Sequence, residues 1–163
     1  MVAAALALPA VGGIAAASAS PPDALQAAKA ASARYHSIEQ ALADGYVQGS
    51  PCEAGMGYHY ANLALVRDPA LDPERPEVLL YAPKPNGKLQ LVGVEYLKVD
   101  ADQNLVTDFD RPSLFGQSFQ GPMLGHGPPG AMPIHYDLHV WLWQDNPNGM
   151  FAPHNPDVTC PAH

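Results

Sequence analysis

Beyond its first twenty residues this chain has no long apolar run, so no later segment could cross a bilayer as a helix. Cations are scarce: 8 Lys and Arg stand against 16 Asp and Glu, a formal net charge of −8. Phosphate backbones are bound by clustered Lys and Arg, so this balance argues against a nucleic-acid partner. Cysteine is reduced to two residues, and there is no Cys-x-x-Cys, no Gly-x-Ser-x-Gly and no glycine-rich phosphate loop. No nucleophile with an adjacent base is therefore recognisable. Proline and glycine, at 18 and 14 residues, are plentiful and imply short elements joined by structured turns. With 47% hydrophobic residues the chain is too apolar for disorder, and 163 residues suit one domain with a substantial core.

Residues 1–20 stand apart from the rest. Val2 to Ala17 is uncharged, and Ala17-Ser18-Ala19 places small residues where a signal peptidase cleaves. The segment reads as an export signal, although the basic residues that ordinarily precede the apolar region are missing; the other reading is a buried or membrane helix. Export predicts a secreted, periplasmic or cell-surface protein with no membrane span after removal of the signal, and a single domain over 21–163. In an oxidising compartment Cys52 and Cys160 are expected to form a disulfide that pins the C-terminal tail. The alternative, thiolate ligands or a redox couple, normally shows closer spacing.

Leu25, Ala28, Ala31, Tyr35, Ile38 and Leu42 recur at three and four between Pro22 and Tyr46, which predicts one amphipathic helix stopped at Asp44-Gly45. His36 falls off that stripe and reads as a solvated surface histidine. From Gly55 the period becomes two. Strands are expected over Tyr58 to Val66, Val78 to Tyr81, Leu89 to Val99 and Ile134 to Trp143, with a hairpin at Asn86-Gly87. The expected fold class is α+β: an N-terminal amphipathic helix packed on a twisted antiparallel sheet of four or more strands, or on a sheet closed into a small β-barrel.

Side chains two or four apart on a strand share a face. Glu95 alternates with Leu89, Leu91, Leu97 and Val99, while Gln90 and Lys98 mark the other face as partly solvated, so Glu95 reads as buried. His59 shares its face with Ala61, Leu63 and Leu65. His135 and His139 run in step with Asp137, Trp141 and Trp143, opposite Ile134, Leu138, Val140 and Leu142. An interior carboxylate needs a partner, and imidazole with carboxylate is the usual ligand set of zinc, copper or non-haem iron. His59, Glu95, His135 and His139 are thus the candidate ligands of a divalent transition metal, with Asp137 placed to orient a histidine from behind. Against this, a single histidine on an apolar face is more often a core residue bonded to backbone, and Glu95 could bridge one such histidine or Tyr60. Tyr58, Tyr60, Asp137, Trp141, Trp143 and His126 are the candidate lining of a ligand pocket. Met123, His126 and Met132 lie in a Gly/Pro-rich loop over 121–133 that could supply soft ligands to Cu(I) or simply cover the pocket. His154 and His163, in the Pro-rich tail, read as solvated.

The strings Gly-Met-Gly-Tyr-His-Tyr (55 to 60), Leu-Val-Gly-Val-Glu-Tyr (91 to 96), Leu-Phe-Gly-Gln (114 to 117), His-Tyr-Asp-Leu-His-Val-Trp-Leu-Trp (135 to 143) and Asn-Pro-Asn-Gly-Met-Phe (146 to 151) resemble those of an uncharacterised family of exported bacterial proteins. The resemblance spans roughly residues 30 to 161 and implies export and a single domain; it transfers no catalytic residue. The inventory of three histidines and one glutamate is also similar to the ligand set of cupins, but the chain lacks their His-x-His followed by a nearby Glu. Three function classes follow. The first is a binder of a metal ion or small molecule through the interior His/Glu site. The second is a metal-dependent enzyme with hydrolytic or oxygen chemistry at the same residues, Glu95 serving as ligand or general base. The third is a structural or interaction domain with a buried His/Glu network.

Overall fold

The computed structural model describes residues 19–125 and 132–161. The expected export segment up to residue 18, His126 and His163 lie outside the described residues. Helix α1 runs Pro21–Ser32, beginning on a proline whose missing N–H is no loss in a first turn. The single helix expected over Pro22 to Tyr46 is divided. A 3₁₀ turn, Ala33–His36, follows α1, and the chain then extends at Ser37 before α2, Ile38–Ala43. Ser37 caps α2 by accepting the Gln40 N–H on its Oγ, and Ser-x-x-Gln is half of a capping box that the three-four periodicity masks. The stop at Asp44-Gly45 is as expected. Gly45 has φ +92°, its N–H donates to the Leu42 carbonyl, and the Tyr46 N–H donates to that of Ala41, a Schellman ending. The buried stripe is Ala24, Ala28, Tyr35 and Ala41; Leu42, expected on it, is exposed because the break rotates α2.

Strand β1 is Val47–Gln48 and β2 is Tyr58–Ala61. The strand expected as far as Val66 ends early, because Asn62 caps a short helix α3, Leu63–Arg67, accepting the Ala64 and Leu65 N–H groups on its Oδ1. Strand β3 is Val78–Pro83 and β4 is Leu89–Val99, joined by the expected Asn86-Gly87 turn with Gly87 at φ +76°. A small hairpin follows, β5 (Ser113–Leu114) with β6 (Gln117–Ser118), then β7 (Gln120–Met123) and β8 (His135–Val140). The main sheet is antiparallel in the order β1-β2-β3-β4-β8-β7. Among the described residues the sheet is open, with β1 and β7 at its edges, and does not close into a barrel.

One face of the sheet packs on the helices. Tyr60, Leu79, Tyr81, Leu91, Val94, Tyr96, Tyr136, Leu138 and Val140 form the main core with Ala28, Tyr35 and Ala41. The other face carries Val78, Leu80, Val92 and Trp141, covered by Val158 from the C-terminal tail. That tail is tied down twice: Gly55 and Val158 share a backbone hydrogen bond, and Cys52 and Cys160 form the expected disulfide with Cα atoms 5.8 Å apart.

A β-bulge corrects the expected faces of β4. Leu80 pairs with Gly93 but Tyr81 pairs with Leu91, leaving Val92 as the extra residue. Leu89 and Leu91 therefore pack in the main core with Val94 and Tyr96, while Glu95 keeps Leu97 and Val99 on the tail-covered side. β8 also ends sooner than expected. After Val140 the chain turns, the Trp141 N–H donating to the Met150 carbonyl and the Trp143 N–H to that of Val92. Trp141 stays on the second face, whereas Leu142 and Trp143 join the main core.

Candidate metal centre

β2, β4 and β8 bring one side chain each to a single point on the tail-covered face. His59 on β2 lies opposite Leu80, Glu95 on β4 lies opposite Val78 on one side and His139 of β8 on the other. One ligand atom from each of His59, Glu95 and His139 falls within 4.8 Å of the other two. His59 Nε2 stands 3.7 Å from Glu95 Oε2, and the His59 and His139 rings meet edge-on with centroids 6.1 Å apart. His59 is half-buried; Glu95 and His139 are 5% and 2% exposed.

The surroundings aim these groups. Ser50 Oγ lies 3.0 Å from His59 Nδ1, which turns Nε2 toward the glutamate. The His139 ring stacks on Trp141, and its Nδ1 stands 3.9 Å from Asp137 Oδ1. A partner on the second ring nitrogen is the usual way a ligand histidine is oriented. Trp141 is itself fixed by its Nε1–H, which donates to the Ala152 carbonyl. Burial pushes the Glu95 carboxyl well above the usual carboxylate range, and the nearby negative charges of Asp137, Glu77 and Glu53 push the same way. Its Oε2 accepts no hydrogen bond from the described residues. A buried carboxyl with acidic neighbours and two imidazoles is a cradle that a cation would relieve. Two histidines and a carboxylate are the donor set of catalytic zinc and of non-haem Fe(II) sites, both of which keep coordination positions open. The residues thus fit a metal ion.

The remaining sequence candidates are elsewhere. His135 lies on the same face as His139 but pairs with Val99, and its Nδ1 lies 3.0 Å from the Pro133 carbonyl. Four residues along a strand is about 13 Å, too far for two ligands of one ion, so His135 is not brought to the cluster. Tyr58 and Tyr60 point into the main core, Tyr60 edge-on to Tyr81, and do not line the site. Trp143 packs edge-on against His36 and donates to Ser32 Oγ, on the far side of the sheet. His36 is exposed as expected, though held by that ring contact. Met123 lies on β7 paired with His135, and Met132 is half-buried. Ser50 is the site residue that sequence reasoning missed: it lies outside the regular strands, where no periodicity points to it.

Among the described residues no helix is long and apolar enough to cross a membrane. Compared with known proteins, the chain matches no family model, no curated protein and no solved structure.

Proposed function

We propose that this protein binds a divalent transition metal through His59, Glu95 and His139. The observation that carries this reading is the convergence of three ligand atoms from three strands within 4.8 Å at a buried point. The negative charge of Asp137, Glu77 and Glu53 around Glu95 favours a cation there. Zinc and Fe(II) suit the donor set best, with Cu as the third choice. A second reading, a metal-dependent enzyme, is favoured by the ligand count: three protein groups leave room for a water or substrate oxygen, and a metal-bound water would supply the nucleophile for hydrolysis. Export to an oxidising compartment belongs to the same reading and is supported by the Cys52–Cys160 bridge.

Metal content of the disulfide-intact protein, measured by mass spectrometry, tests the site. About one equivalent is expected in the wild type and almost none in His139→Ala or Glu95→Gln variants that keep the wild-type circular dichroism. A wild-type protein that takes up no zinc, iron or copper after incubation with their salts would overturn the reading.

A further inference from the structure

The sheet face that carries the His/Glu cluster continues past it. Ala61 is two residues beyond His59, Val78 lies opposite Glu95, and Leu97 and Val99 follow Glu95 at two and four residues. These four side chains share one face and floor an open, largely apolar cleft of about 800 Å³. That volume is ordinary for a small-molecule site. Val78 is level with Glu95 in the register, so from Val78 to Val99 the floor extends about 13 Å along the strand direction, roughly the span of an extended ten-carbon chain.

The rim carries four charged residues, Arg67, Asp68, Lys98 and Asp110, and three of them are engaged. Asp68 pairs with Arg75 at 3.7 Å. Asp110 accepts the Ala101 N–H on Oδ2 and the Tyr136 hydroxyl on Oδ1. Lys98 Nζ donates to the Pro69 carbonyl. Arg67, at the end of α3, has no ion-pair partner among the described residues.

We propose that this cleft binds an aliphatic carboxylate, its chain on Ala61, Val78, Leu97 and Val99 and its carboxylate on the Arg67 guanidinium. An apolar trough fixes the chain without selecting its length sharply, and a planar fork of donors at one end selects carboxylate over a neutral head. The proposal needs no metal at the neighbouring cluster.

Titration calorimetry of the full, metal-free chain with decanoate and with decan-1-ol tests it. The wild type should bind decanoate more tightly than decanol. Arg67→Gln, a change at an exposed side chain, should weaken decanoate about tenfold and leave decanol unchanged. Ala61→Phe, which narrows the floor, should weaken both. No decanoate binding by the wild type, equal affinity for the acid and the alcohol, or equal decanoate affinity in Arg67→Gln would each overturn the proposal. Metal uptake by the same preparations is read separately, so the cleft and the metal centre fail or stand independently.

Discussion

Ser50, in a loop, and His135, on β8, separate two kinds of residue around one sheet face. Ser50 touches His59 through Nδ1, so Ser50→Ala should lower metal affinity by about 10- to 100-fold while leaving the fold intact, as competition with a chromophoric chelator would show. His135 is 1% exposed and lies against the Pro133 carbonyl. His135→Ala should therefore destabilise the protein by about 1 to 3 kcal/mol in urea unfolding yet leave the metal stoichiometry unchanged. Loss of metal in that variant would contradict the geometry. Of the site, the buried glutamate and its two histidines were legible from alternation alone. His135 was over-included because sharing a face is not sharing a place, and Ser50 was invisible because loop residues carry no period.

Elements show the same pattern in their ends and breaks. β4 spans the residues its alternation marks, yet the bulge at Val92 reverses which of them are neighbours, and nothing local announces it. Asn62 and Ser37 are caps that overrule the periodicity running through them, because a side-chain oxygen satisfying backbone N–H groups stabilises a helix start wherever it falls. Ser37→Ala should cost about 1 kcal/mol, read as a lowered urea midpoint. Gly57 is a stricter case. It holds φ +84°, and a Cβ there would run into the Tyr81 carbonyl oxygen, so Gly57→Ala should cost more than about 2 kcal/mol by the same measurement.

At the scale of the molecule, the tail makes an interior of the part of the second face around Leu80, Val92 and Trp141. The Cys52–Cys160 bridge closes a separation of 108 residues, which in the chain-entropy account contributes about 4 to 5 kcal/mol. Reduction or a Cys52→Ser, Cys160→Ser double variant should lower the thermal midpoint markedly and expose Trp141, seen as a red-shifted emission. Burial also pushes Glu77 up to about 7, against 4.5 for an ordinary glutamate, while its Oε2 accepts the Leu97 N–H. The folded state then holds more protons than the unfolded one between these values. Stability from this group is full below about pH 4.5 and falls as pH rises through 7, by up to about 3 kcal/mol. Glu77→Gln keeps an acceptor for Leu97 and should remove that slope; equal pH 5 to pH 8 losses in wild type and variant would contradict the assignment.

Composition, periodicity and turn residues by themselves determined the α+β class, the antiparallel strands β3 and β4 with their hairpin, the helix stop at Gly45 and the interior position of Glu95, because each depends on neighbours within a few residues. Tertiary structure alone decided which histidines meet that glutamate, where the tryptophans part and what covers the second face. Those outcomes depend on cross-strand register, a bulge and a tail brought back from a hundred residues away, and such pairings leave no periodic trace in the chain.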